Sequence, residues 1–427
     1  MQQPAAAERS GERVLCVSFN QDRSLFALGT TFGFHVYNTA PLKRKYGRDW
    51  GSGVGIVEVY MRTNILALVG GGPASRFSPK KLTVWDDYQN RVIAEVDFYA
   101  DIAAVQLRRD RIVVALPGAV DVLNFTDLTV VAHCPAAPAM GPRTLALSQT
   151  SAVPVLAFPV DRAAAAAAAP GPAFTTMAPV TATAPSSAGA TNGSGNGLGN
   201  GSSGTTTTSS STEGLLAVRR DLSSLAAAAG AAPAEVVPGA AAALPSSTAS
   251  STTTTMREMV VVPAHNGALA CVALSEDGAL AATASERGTL VRVWDTASGR
   301  LVKELRRGAD GAHIWAMCFS RDKTLLAVSS SRGTCHIFGV SGVANKQSSL
   351  WSLRGVLPAY FGSEWSSMQV SVPAERSVLA FSDDRSSLYM VFLDGTYRRV
   401  ELSWESPTPT ARLDPAVGTV DLLHSIW

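Results

Sequence analysis

Leu305-Arg306-Arg307-Gly308 places two adjacent arginines at the end of a segment that reads as a β-strand. Side chains alternate between the faces of a strand, so neighbouring arginines project in opposite directions. Each guanidinium is a planar fork of donors that matches the oxygens of a phosphate or carboxylate. Two forks aimed apart are chemistry for two anion sites lying side by side. The surrounding charge agrees. Between Arg287 and Arg332 there are nine Lys/Arg and four Asp/Glu, a net of +5, whereas the whole chain carries +2, which leaves −3 for the remainder. A near-neutral total does not coat nucleic acid through its overall field, so anion recognition must be local.

The elements that must hold this pair are short β-like runs punctuated by turns, such as residues 14–19, 24–29, 33–37, 65–69, 111–116 and 120–123. Their spacing of about ten residues suits an all-β fold. A longer period is also legible. Cys271-Val272-Ala273-Leu274-Ser275, the run from Leu280 to Ser285, and Gly288-Thr289-Leu290 through Trp294-Asp295 are echoed by residues 317–320, 325–330 and 333–338. Ser275 to Ser320 and Gly288 to Gly333 both give an offset of 45 residues, within the WD-repeat range. Of the 427 residues, about 330 remain once the low-complexity stretch is removed, and blades of about 45 residues divide them into about seven. The expectation is a seven-bladed β-propeller of WD-like repeats, with a flexible N-terminus at 1–10 and one propeller domain over 11–427.

The low-complexity stretch runs from Arg162 to about residue 256, in blade four, and is dominated by Ala, Ser, Thr, Gly and Pro. It lacks the large apolar side chains that offset ordering entropy, and disorder is expected. One island, residues 213–222, reads as a single strand. The alanine tracts are expected to contribute nothing to a core. Five widely scattered cysteines show no C-x-x-C spacing and read as reduced, mostly buried strand residues of an intracellular protein. No apolar run suits a signal peptide or a membrane span, so membrane contact is expected to be peripheral.

At this point the residues resemble a known family, the PROPPINs, the WIPI-type WD-repeat propellers that bind phosphoinositides in autophagy. The resemblance rests on Leu305-Arg306-Arg307-Gly308, Ala264-His265-Asn266-Gly267, Ser285-Glu286-Arg287-Gly288-Thr289-Leu290, Trp294-Asp295-Thr296, Phe19-Asn20-Gln21-Asp22 and Leu68-Val69-Gly70-Gly71-Gly72. It implies two sites for phosphatidylinositol 3-phosphate or the 3,5-bisphosphate on the rim of blades five and six. Arg306 would serve the first with His265, Ser285, Thr289 and Arg292; Arg307 would serve the second with Ser330, Thr334 and His336. Solvated charge is the plainer reading of two strand arginines. His265 and Ser285, with Trp294, also stand where WD repeats place a histidine–serine–tryptophan hydrogen-bond network, so His265 reads equally as a blade residue. Asp310 departs from the basic or histidine residue of some family members. If both serve headgroups, replacing Arg306 and Arg307 together by Thr is expected to abolish lipid binding with thermal stability nearly unchanged.

Residues 341–367 are long for a hairpin and carry Trp351, Leu353, Leu357 and Phe361 among other large apolar residues, with Lys346 and Arg354. Aromatic rings and cations together suit a bilayer interface, and the position matches the membrane-inserting loop of the family. The resemblance also implies contact with the bridge-like lipid-transfer protein of autophagy, to which Asn20 and Asp22 would contribute; Asn-x-Asp is equally ordinary turn chemistry. The expected protein is a phosphoinositide effector without cofactor or metal, monomeric in solution and not an enzyme. It is expected in the cytoplasm, on preautophagosomal, endosomal or vacuolar/lysosomal membranes. The alternative is a generic WD-repeat scaffold that binds only proteins.

Overall fold

A computed structural model describes residues 11–72, 74–168, 214–220, 259–346, 363–404, 409–415 and 417–423. Their strands assort into seven sheets, over residues 14–49, 54–97, 104–135, 146–265, 269–306, 314–371 and 377–421. This is the seven-bladed β-propeller expected from the repeat count. In every blade four strands follow one another as an antiparallel meander, and the first strands pack together between neighbouring blades at six of the seven junctions.

Burial follows position in the meander. The second strand of a blade has sheets against both faces and therefore reads as an unbroken small or apolar run. Leu25–Thr30, Val155–Val160 and Leu325–Ser330 are buried throughout. Outermost strands face water and carry charge, as in Lys43–Asp49 and Arg91–Asp97. All five cysteines lie in strands and are free, four of them buried and Cys16 half-buried.

The ring closes between blades one and seven through aromatic packing. Phe26 stacks on Tyr37 at 5.2 Å and on Tyr397 at 5.8 Å between ring centroids. The Tyr37 hydroxyl donates to Leu422 O at 2.8 Å, and the Tyr397 hydroxyl to Thr39 O at 2.9 Å. Each phenol thus ties one end of the ring to the other.

Blade four bears the low-complexity insertion. Its third strand, Gly214–Arg220, pairs with Val155–Val160 on one side and with Met259–His265 on the other, so residues 214–220 of the expected island form an integral strand. The insertion begins later than expected. Arg162–Ala168 is an α-helix, started by the Asp161 carboxylate, which accepts from Ala164 N at 2.7 Å. Asp is a favoured N-cap and Ala the strongest helix former. Ala164 and Ala165 are buried in the core beside Leu215 and Ala217, which corrects the expectation that the alanine tract packs nothing. The rest of the insertion lies outside the described residues, as do residues 1–10.

Tyr397→Phe leaves Thr39 O buried without its donor and is expected to lower unfolding free energy by about 1–2 kcal/mol. Urea denaturation measures this; an unchanged midpoint would assign closure to ring stacking alone.

Candidate functional site

Arg306 ends Leu301–Arg306, the fourth strand of blade five. It lies opposite Leu290 on one side. On the other side it lies opposite Trp365 of Glu364–Trp365, a parallel strand sent back by the chain of blade six. Both arginines are buried, 7% and 6% exposed, so they are not solvated strand charges. A buried guanidinium must find acceptors. Arg307 Nε donates to Gly288 O at 3.0 Å and its Nη2 to Asp310 O, while Thr289 O accepts from Arg307 N at 3.0 Å. Nη1 has no partner among the described residues. Asp310, flagged in the sequence, therefore meets Arg307 through its backbone carbonyl. Gly288 sits at φ +61°, and a Cβ there would stand 1.8 Å from Ala312 O. The turn carrying Thr289 and the connection following Arg307 are in direct contact only because residue 288 is glycine.

Around the first predicted site, His265 is buried at the end of blade four. Its Nε2 is 3.0 Å from Thr283 Oγ1, which also accepts from Trp294 Nε1 at 2.9 Å. The blade network therefore exists but uses Thr283, not Ser285. Arg292 donates from Nε to Glu304 at 2.9 Å and from Nη1 to Ala264 O at 2.6 Å, tying blade five to blade four. Burial, and then the Arg292 charge, pull the His265 pKa down to about 4. Ser285 is half-buried at the end of its strand. Thr289, assigned with Arg306 by resemblance, bonds through its backbone to Arg307.

In the second predicted site Ser330 and Thr334 are opposed residues of neighbouring strands. Thr334 Oγ1 lies 3.2 Å from His336 Nε2, and His336 Nδ1 lies 3.1 Å from Ser366 Oγ. Burial and then Arg307 bring the His336 pKa down to about 4, so Arg307 and His336 share one electrostatic environment. The Ser330 hydroxyl is fully enclosed and has no partner among the described residues. Beside these residues Glu286, Arg287, Gly311, Ala312, His313, Ser331 and Arg332 line a groove of about 400 Å³. Arg332 also acts on Arg307, whose pKa is lowered by burial and then by that like charge, against Asp310. Sequence reading did not select Arg287 or Arg332. The available signal was their shared place immediately before the repeat glycines Gly288 and Gly333.

Trp351, Leu353, Leu357 and Phe361 lie outside the described residues. The ends of their loop are tethered to blade five: Lys303 Nζ pairs with Glu364 at 2.9 Å, Asn345 Nδ2 donates to Glu364 at 2.6 Å, and Ser363 Oγ donates to Glu304 at 2.8 Å. Trp365 pairs with Lys346 across the base and belongs to the sheet, which shortens the segment available for a bilayer. Asn20 is 3% exposed; it donates to Met61 O at 2.7 Å and accepts from Leu25 N at 2.9 Å. Asp22 holds Ser24 through its backbone and hydroxyl and is the more exposed of the two. Among the described residues there is no cluster of three or more His, Cys, Asp or Glu able to hold a metal, and no helix long and apolar enough to cross a membrane.

A model of the PROPPIN family matches residues 241–388. The chain is 30% identical to SVP1-like protein 2 of Candida glabrata over 437 residues, spanning 91% of this chain and 83% of that protein. It is 28% identical to autophagy-related protein 18e of Arabidopsis thaliana over 404 residues, spanning 93% and 85%. Among solved structures, Kluyveromyces lactis Hsv2 superposes with a TM-score of 0.63 at 20% identity, over 96% of this chain and 100% of that one. KlAtg21, solved in complex with the coiled-coil of AgAtg16, gives 0.63 at 19% identity over 96% and 99%.

The two buried histidines fix a pH dependence. Their folded pKa near 4 lies below the ordinary value of about 6.5, so the unfolded chain binds more protons between these values. Their contribution to stability is therefore full above about pH 6.5 and declines as pH falls towards 4. Thermal melts between pH 7 and 4.5 are expected to show this decline, with a shallower slope in His265→Gln; an equal slope in that variant would remove His265 as a contributor.

Proposed function

The chain belongs to the PROPPIN family, and on that premise we propose that it is a non-enzymatic phosphoinositide effector of autophagy that attaches peripherally to membranes bearing phosphatidylinositol 3-phosphate or the 3,5-bisphosphate. The observation that carries the reading is Arg307, a buried guanidinium with two donors anchored to Gly288 and Asp310 and Nη1 unspent. A phosphomonoester brings about −1.5 to −2 charges and strong acceptors to such a donor. His336 lies in the same field and gains a reason to protonate when a dianion arrives.

Arg306, with His265, Ser285, Thr289 and Arg292, serves the first headgroup, and Arg307, with Ser330, Thr334 and His336, the second. The Ser330 hydroxyl reaches a ligand only after local movement, because it is enclosed. Contacts that are individually weak act on one membrane through a rigid edge, so each later contact forms at high effective concentration. Trp351, Leu353, Leu357 and Phe361 supply the interfacial contact from a loop whose ends are pinned beside Arg306. The membranes are preautophagosomal, endosomal or vacuolar/lysosomal. The partner is the lipid-transfer protein of autophagy, with Asp22 more accessible to it than Asn20.

Flotation with liposomes tests the reading. The protein is expected to float with vesicles containing phosphatidylinositol 3-phosphate and to stay down with vesicles lacking it; an intact protein indifferent to the lipid would leave only the protein scaffold. Arg306→Thr with Arg307→Thr is expected to abolish flotation. Because Arg307 also anchors the loop, the pair of changes should cost about 1–3 kcal/mol of stability, where the sequence led to an expectation of nearly none. Arg306→Lys with Arg307→Lys keeps the charge, loses the fork and is expected to retain weak flotation.

A further inference from the structure

The inner strands of the propeller begin at one mouth of the central channel and end at the other, and the two mouths differ in charge balance. Where the strands end, four cations are paired with carboxylates, Arg23 with Glu276 at 3.3 Å, Arg321 with Asp383 at 3.1 Å, Lys323 with Asp277 at 2.6 Å, and Arg385 with Asp322 at 2.8 Å, while Arg62 and Arg109 stand in separate turns. Where they begin, cations gather on one indole. Trp315 is the second residue of Ile314–Phe319, the inner strand of blade six. The guanidinium carbons of Arg143 and Arg376 lie 5.4 and 5.6 Å from its ring centroid, and His313 stacks on it at 5.7 Å and 19°.

These groups converge from three blades. Arg143 precedes the inner strand of blade four. Its carbonyl accepts from Val272 N of blade five at 2.7 Å, and its Nη1 donates to Ile314 O of blade six at 2.9 Å. Arg376 immediately precedes Ser377–Phe381, the inner strand of blade seven. Trp315 Nε1 donates to Ala374 O at 3.0 Å, which holds the indole in place. Trp315 is half-buried, while Arg376 and His313 are exposed. Among the described residues neither Arg143 nor Arg376 forms an ion pair. Glu375, beside Arg376 in sequence, and Glu286, in the adjoining groove, pair with neither.

We propose that this mouth is a docking site for an acidic segment of a protein partner, with Asp or Glu carboxylates received by Arg143 and Arg376 and apolar atoms laid on Trp315. Trp and Arg are the residue types that concentrate binding energy in interfaces, and like charges brought together without a counter-charge favour an anionic occupant. A protein is favoured over a bilayer by position: Trp315 is on an innermost strand at the axis, whereas Arg306 is on an outer strand at the rim. Arg143, Trp315 and Arg376 are thus distinct from the headgroup residues, while His313 borders the groove beside the second of those sites.

Fluorescence anisotropy with a labelled peptide of alternating Glu and Gly tests this at low and physiological salt. Wild-type protein is expected to bind the peptide, more weakly at high salt, and to change its tryptophan emission on binding. Arg376→Gln is expected to weaken binding several-fold and Arg143→Gln with Arg376→Gln more than tenfold, while flotation on phosphoinositide vesicles stays at the wild-type level. The Arg376 side chain makes no hydrogen bond or ion pair among the described residues and its replacement should fold normally, so the single variant decides the matter if the double variant does not fold. Absence of peptide binding by the wild type, unchanged binding in Arg376→Gln, or an equal loss of flotation would overturn the proposal.

Discussion

The stack of Phe26, Tyr37 and Tyr397 that joins the first blade to the seventh sets the constraint on which the other geometry rests. A propeller sheet buries its faces only against its neighbours, so an open ring would expose one face at each end and let every blade angle relax. Tyr37 and Tyr397 each span the seam with a buried hydroxyl, donating to Leu422 O and Thr39 O respectively. With the seam shut, the position of one blade limits all the others. The end of the outer strand of blade five, which carries both arginines, is then held against the strand returned from blade six.

Within that frame the arginine pair behaves as a joint and not as surface charge. Arg307 fastens the connection between blades five and six to the Gly288 turn, and Arg306 is enclosed between Leu290 and a strand returned from blade six. Burying cations is costly unless acceptors surround them, and backbone carbonyls supply part of that compensation here. The same burial keeps His265 and His336 neutral near pH 7. The site is therefore arranged to accept negative charge: fixed guanidinium donors, neutral imidazoles able to take a proton, and hydroxyls repeated at the offset of 45 residues.

The strand Glu364–Trp365 links the two candidate membrane elements. It leaves blade six, lies parallel to the outer strand of blade five and brings Ser363 to Glu304 and Glu364 to Lys303. Glu304 also receives Arg292, so the loop base, the outer strand and the edge of blade four are one polar network. The base of the loop is thereby joined to residues beside His265 and Arg306.

Much of this was legible without coordinates, because its physical causes are local or periodic. Strand alternation, turn residues and the repeat offset specify a ring of β-blades, and the composition of residues 213–222 is enough to mark a strand inside low-complexity sequence. The cluster of basic residues around Arg306 and Arg307 is likewise a property of the chain itself. What tertiary structure decided lies where distant segments meet. Thr283 and Ser285 are two residues apart and share a face of one strand, so alternation cannot choose between them; the register of blade four against blade five puts Thr283 against His265. Ala164 and Ala165 are too small to announce a core position, yet a helix started by Asp161 turns them inward beside Leu215. Whether Arg306 is solvated or buried depends on a strand nearly 60 residues further along the chain. No local pattern encodes that contact, because it exists only once the blades have closed into a ring.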